Sequence, residues 1–342
     1  MKPCRNAFLG LLLVVLSSCQ VSQPRVVLYC AQDREFAEEA LAEFTNRTGL
    51  PVTPKFDTEA DKSVSLYFEI VHEKDRPRCD VFWNNEILST IRLQKQGLLE
   101  PYASPSAEPY PDWSKARDQT WQAFANRARV LIVNTDFVTE AERPRGLFDL
   151  TTPSWKGRIA MARPQFGTAA TQAACLFQVL GTDKAQAFYR GLKANGVQIA
   201  PGNKDVAVWV GQGREPGGRR IAAGITDTDD AMEEVKAGRP VAIIYPDSDG
   251  MGTLFIPNSL AIVKGCPNPE GARKLVDYLL SPEVEERLAT SESYQVPINP
   301  HVKASLPQQL RTPQTTKAMT VDYVKAAELW EQVQEFLKQE FQ

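Results

Sequence analysis

The chain is poor in the residues from which most metal and acid–base sites are built. It has two histidines, His72 and His301, in 342 residues, so a histidine metal cluster or a Ser–His–Asp arrangement has almost no material. Basic residues are not in excess: Lys+Arg 39 stands against Asp+Glu 42, a formal net charge of −3. The basic stripe of a nucleic-acid-binding domain is missing, and no nucleic-acid partner is expected. Beyond the first twenty or so residues no stretch approaches the roughly 18 apolar residues of a membrane-spanning helix. Cysteine is sparse too. After Cys19 there remain Cys30, Cys79, Cys175 and Cys266, whose wide spacings outline no disulfide framework. Buried free thiols acting as small apolar side chains are expected.

What is present begins with an export signal. Lys2 and Arg5 precede an apolar run from Phe8 to Leu16, too short to span a bilayer and suited to a signal-peptide core. It ends in Leu16-Ser17-Ser18-Cys19, which resembles a bacterial lipobox. The resemblance implies removal of residues 1–18 as a lipoprotein signal peptide and lipidation of Cys19. Residues 19–25 then form a polar tether, and the protein is exported to the cell envelope or periplasm on a lipid anchor.

Hydrophobic patterning then alternates between strands and helices. VVLYC (26–30), PVTPKF (51–56) and CDVFW (79–83) read as strands; 33–49 and 87–97 read as helices closed by Gly49 and Gly97. ARVLIVNT (128–135) opens a second alternation. It runs through GRIAMA (157–162), helices 168–180 and 183–195, VQIA (197–200), helix 204–212, IAAGIT (221–226), helix 229–237 and VAIIYP (241–246). GTLFIPNSLAIVKG (252–265) is a long extended run that can cross back. The remainder reads as mainly helical, ending in one amphipathic helix over about 319–341. The fold class is α/β with two lobes: 26–127 as the first part of lobe 1, 128–251 as lobe 2, and 252–342 as the return crossing, the completion of lobe 1 and the C-terminal helices. Two such lobes leave a cleft, and ligands sit beyond the carboxyl ends of the strands. The loops to inspect are 30–34, 57–61, 83–86, 163–168, 226–230 and 246–250.

GITDTDDA (224–231) crowds Asp227, Asp229 and Asp230 into four positions after an apolar run. A helix start needs one cap, not three. Asp227 and Asp229, with Thr228 beside them, are therefore expected to face ligand, favouring a cation, an ammonium group or hydroxyl donors. Gly167 and Thr168 open a helix, whose free N–H groups make an anion site, and Arg163 can fork onto an anion. Asn84 and Asn85 follow the third strand. Cys30 and Ala31 follow the first, where backbone N–H groups can face ligand; no histidine partner makes Cys30 a nucleophile. Tyr245 ends a strand and is a candidate for stacking on or bonding to ligand. Asp229 is the metal ligand if the solute is a cation. No enzyme activity and no resident cofactor are expected.

The segments VVLYCAQDREFAEEALAEFTNRTGLPV, CDVFWNNE, GLLEPYASP, LFDLTTPSWKGRIAMARP, FYRGLKANG and GTLFIPNSLAIVKGCPNPEGARKLVDYLLSPEVEERLA resemble extracellular solute-binding proteins of ABC importers, in the iron(III)-binding-like branch. The likeness spans nearly the whole mature chain in order. It implies a two-lobed periplasmic-binding-protein type 2 fold with an interlobe ligand cleft, an ABC permease as partner, and a monomer. It also places an anion near Gly167-Thr168. By order, the adjacent tyrosines that hold ferric ion in that branch fall on Thr228 and Asp229, its histidine on Asp33 and its glutamate on Asn85, so those ligands are not retained. The expectation is a receptor for a small polar solute, phosphorylated or zwitterionic. Alternatives are a ferric-ion receptor using carboxylates and a sensory or partner-docking lipoprotein.

Overall fold

The computed structural model describes residues 25–57 and 64–341. Residues 1–24, on which the expected signal peptide, Cys19 and most of the expected tether fall, lie outside the described residues, as does most of the loop 57–61. Among the described residues no helix is long and apolar enough to cross a membrane.

The first lobe is built on three parallel strands, β1 (Val26–Cys30), β2 (Val52–Phe56) and β3 (Val81–Asn84), with β1 central. Helices α1 (Arg34–Thr48), α2 (Val64–His72) and α3 (Leu88–Lys95) alternate with them. All four residues of β3 are buried, as expected of a strand covered on both faces. The short β4 (Leu99–Glu100) leads, through an irregular stretch, to β5 (Gln122–Asn134), buried along its whole length. The second lobe carries β6 (Ile159–Ala162), α4 (Gly167–Leu180), α5 (Thr182–Ala194), β7 (Gln198–Ala200), α6 (Asn203–Gln212), β8 (Ala223–Asp227), α7 (Thr228–Lys236) and β9 (Val241–Ile244). In it β7, β6 and β8 run parallel. A Cβ at Gly224 on β8 would sit 2.4 Å from Val206 Cγ1, so a larger residue there would push α6 off the sheet. The chain returns through β10 (Phe255–Val263) to α8 (Pro269–Leu279) and α9 (Pro282–Thr290), and ends in α10 (Tyr323–Glu328) and α11 (Trp330–Glu340).

β5 and β10 join the lobes. From Gln122 to Ala128, β5 pairs antiparallel with β10; from Arg129 to Val133 it pairs antiparallel with β8, and Leu131–Asn134 also pairs with β9. The strand thus passes from one sheet to the other at Ala128–Arg129. The mixed α/β order and paired parallel sheets agree with the sequence reading, with three differences. β5 begins at Gln122, six residues before the apolar run at 128, because Gln122, Asn126 and Arg127 are polar yet buried. Residues 291–322 form no helix. The terminal helix is interrupted at Leu329, and its two parts bridge the lobes. Arg92 and Lys95 of α3 pair with Glu331 and Glu328, while Arg190 and Lys193 of α5 pair with Glu340. The four described cysteines are free and buried, which matches their reading as small apolar side chains.

Candidate functional site

Three helices begin at one point between the lobes. Gly167 opens α4, Asn203 opens α6, and Asp227 precedes α7; together with Asp33, Asn85, Arg127, Ala162, Arg163, Phe166, Thr168, Pro201, Gly202, Asp229 and Asp230 they line a cavity of about 40 Å³. The lining comes from both lobes and from the crossing strand β5. Each helix start carries partial positive charge. α6 and α7 answer it with acidic first turns, Asp205 in one and Asp229 and Asp230 in the other, whereas α4 has no acidic residue in its first turn. Gly167 adopts φ 52, a backbone conformation that glycine enters without penalty.

The crowded carboxylates are compensated by two buried arginines of β5. Arg129 Nη1 lies 2.8 Å from Asp227 Oδ1, and Arg127 Nη1 lies 3.0 Å from Asp229 Oδ2. Arg127 is in the fully buried strand, and burial opposes its charge. The carboxylates of Asp229, Asp227, Asp33 and Asp230 outweigh that cost and raise its pKa. Arg129 also donates from Nε to Gln172 Oε1 at 3.0 Å and from Nη1 to Asn203 Oδ1 at 2.9 Å. Asp227 Oδ2 accepts from Thr168 Oγ1 at 2.5 Å and Asn203 Nδ2 at 3.1 Å. Asp227 therefore stands at the N-cap position of α7 but makes no side-chain cap bond; its oxygens are turned to arginine, threonine and asparagine instead.

On the other side, Arg127 Nη2 donates to Gln32 Oε1 at 2.9 Å. Arg127 Nε and Gln32 Nε2 are both buried without a hydrogen-bond partner among the described residues. Two adjacent unsatisfied donors invite an acceptor, since a buried N–H left unpaired is costly. Asp227, Asp229 and Asp230 offer oxygens that all lie within 4.8 Å of one another, so they can also converge on a cation. Against that, three carboxylates face two guanidinium groups, which leaves little net negative charge for a bare multivalent ion.

Of the residues singled out in sequence, the structure brings Asn85, Gly167, Thr168, Asp227 and Asp229 to the cavity, with Asp33, Arg163 and Asp230. Cys30, Ala31, Asn84, Thr228 and Tyr245 lie outside its lining. The Ala31 N–H is spent on Trp83 O at 2.8 Å, and Cys30 Sγ contacts Gln32 O at 3.8 Å. Asn84 Nδ2 is held by Glu86 Oε1 at 2.9 Å. Thr228 Oγ1 accepts from Ala128 N at 3.2 Å, tying α7 to β5. The Tyr245 hydroxyl donates to Gln309 O at 3.2 Å and accepts from Arg311 N at 2.9 Å, a join with the non-helical segment that sequence patterning took for helix.

Sequence reasoning missed Arg127, Arg129 and the turn 201–203. The turn follows β7 and satisfies the same rule that selected the other loops. The arginines sit two apart on a strand, where side chains share a face, and two buried carboxylates require two partners; together those were the available signal.

Comparison with known proteins gives four findings. Residues 89–327 match the family model described as bacterial extracellular solute-binding protein. The chain is 25% identical to the major ferric iron-binding protein of Neisseria meningitidis serogroup A, over 94% of this chain and 97% of that one. Among solved structures it superposes on iron-bound HitA from Pseudomonas aeruginosa with a TM-score of 0.82 at 21% identity, covering 93% of this chain and 100% of that one. It also superposes on AfuA from Actinobacillus pleuropneumoniae, solved with exogenous fructose-6-phosphate, with a TM-score of 0.78 at 24% identity, covering 92% and 97%. Both likenesses show the two-lobed fold.

Proposed function

Because the chain belongs to the bacterial extracellular solute-binding protein family, we propose that it is the exported receptor of an ABC uptake system. It captures a small polar solute between its lobes and hands it, unchanged, to a permease. The solute carries an anionic group together with hydroxyl or amine groups, as a sugar phosphate or a phosphonate zwitterion does. The observation that carries this reading is one small cavity with two chemistries. Arg127 and the start of α4 at Gly167-Thr168, which has no acidic residue in its own first turn, favour an anion, while Asp229 and Asp230 favour hydroxyl or ammonium donors. The cavity of about 40 Å³ is too small for such a solute, so binding requires the lobes to part and close again, with the solute inserting between Arg127 and Asp229.

The name of the Neisseria relative and the convergence of Asp227, Asp229 and Asp230 within 4.8 Å support a second reading, a ferric-ion receptor in which carboxylates act as ligands and Asp229 is central. The two arginines argue against it. A thermal-shift panel of fructose 6-phosphate, an aminophosphonate and ferric citrate separates the two. The proposal expects a rise in melting temperature with a phosphorylated or zwitterionic solute; a rise with ferric citrate alone overturns it. Native mass spectrometry of the purified protein then weighs any co-purified solute.

A further inference from the structure

The face of β5 that carries Arg127 and Arg129 is set by one extra residue. On β10, Asn258 pairs with Phe124 and Pro257 pairs with Asn126, which leaves Ala125 without a partner residue: the ladder shifts register there. Ala125 has φ 38, in the left-handed region that L-residues other than glycine avoid. This is a β-bulge. Paired residues in a ladder share a face, so Phe124, opposite Asn258, and Arg127, opposite Ile256, lie on the same side. Three positions apart, they would lie on opposite sides of a regular strand. If Ala125 were instead paired into a regular ladder, Arg127 and Arg129 would turn away from the cleft, as any one-residue slip turns every side chain beyond it.

Both backbone groups of Ala125 are held from outside the strand. Asn258 Nδ2 donates to its carbonyl at 2.9 Å. Its N–H donates to Oε1 of Glu285, a fully buried carboxylate on α9. Glu285 Oε2 accepts from Asn299 N at 2.7 Å and Ile298 N at 3.1 Å, and the neighbouring Val296 exchanges backbone bonds of 2.8 and 2.7 Å with Asn126. One buried carboxylate thus collects N–H groups from both sides of the bulge region. Asn258 is shared as well: its Oδ1 is 3.4 Å from Arg127 Nη2.

We propose that Glu285 is a positioning residue for the cleft. By anchoring the bulge at Ala125 it determines that Arg127 and Arg129 face Asp229 and Asp227. Glu285 does not line the cavity. The consequence for solute capture rests on the reading of the site given above, but the placement of the arginines does not.

The test is therefore made without any solute. The Nε–Hε resonances of Arg127 and Arg129 are recorded by ¹⁵N-labelled nuclear magnetic resonance and assigned with R127K and R129K. E285Q replaces one acceptor by an NH₂ group that opposes the converging N–H donors. It is expected to shift or broaden both resonances. A125G, which enters the bulge conformation without strain, is expected to leave them in place, and A125G/E285Q to restore them. If E285Q does not fold, A125G/E285Q is expected to recover both the fold and the two resonances. Unchanged arginine resonances in folded E285Q overturn the proposal, and so does failure of A125G to rescue either the resonances or the fold.

Discussion

Arg129 and Asp227 stand directly opposite each other on the β5–β8 ladder, and their side chains meet at 2.8 Å where both are buried. The pair fastens the crossing strand to the acidic turn. It also gathers Thr168 and Asn203, so the starts of α4, α6 and α7 are held by one set of hydrogen bonds.

That arrangement predicts an asymmetric cost. R129M strands the Asp227 carboxylate in the interior and should cost about 3–5 kcal/mol, the usual penalty for breaking a buried pair from one side. R129M/D227L removes both charges and should recover much of that loss. Urea unfolding of the three proteins checks this. A single substitution costing no more than an exposed ion pair would show that Asp227 finds other compensation.

Arg127 is expected to behave differently. Its Nε has no partner among the described residues and it lines the cavity, so its loss should weaken capture in addition to the folding cost of stranding Asp229. R127L should weaken binding of a phosphorylated solute such as fructose 6-phosphate by about 2–5 kcal/mol, the range for truncating one partner of a buried charged contact. R127K keeps the charge without the fork and should fall between. Isothermal titration against the wild type gives the answer; equal affinities for R127L and wild type would remove Arg127 from the site.

Much of this was legible in the sequence, and the parts that were not share one physical cause. The strand–helix alternation carries the two lobes because most of its strands are apolar runs, as at Val26–Cys30 or the run that ends at Asp227. The acidic turn and Gly167-Thr168, which line the cavity, stand out in sequence because they follow or precede such elements. Arg127 and Arg129 do not, because apolar patterning marks buried charge as surface, and only their tertiary partners make their burial tolerable. Tyr245 follows the end of a strand as a cleft residue does, but it lies outside the cavity lining and its hydroxyl is bonded to the irregular segment at 309–311. Nothing local in residues 291–322 announces that segment's path, which is fixed by long-range bonds such as those of Thr253 to Lys317 and Met319.

The pH dependence of Glu285 has a definite sign. Burial raises its pKa above the usual carboxylate value, more than its N–H donors lower it. In the window between the ordinary carboxylate pKa and the raised one, the folded protein binds more protons than the unfolded chain at this group. Its contribution to stability is thus fully present at low pH and is lost as pH rises through the folded value. The difference in melting temperature between wild type and E285Q should accordingly move in favour of wild type on going from about pH 7 to about pH 5. Movement in the other direction would mean that the N–H donors dominate and the carboxylate is held ionised.

The thiols provide the last prediction. Cys79 and Cys175 are fully buried, and burial pushes both pKa values well up; Cys266, at 9% exposure, is pushed up to about 11, again chiefly by burial, with Asp80 adding to it. Only the thiolate reacts, and at pH 8 a thiol of pKa about 11 is ionised to roughly one part in a thousand. In the folded protein iodoacetamide should leave Cys79 and Cys175 unmodified, with Cys266 the first of the three to react as urea is raised. In full denaturant Cys30 should join them, so that all four become available without reductant. Mass spectrometry of tryptic peptides reads each site separately. Resistance to alkylation in full denaturant that reductant abolishes would reveal a disulfide, and the free-thiol assignment would fall; rapid native labelling of Cys79 or Cys175 would contradict their burial.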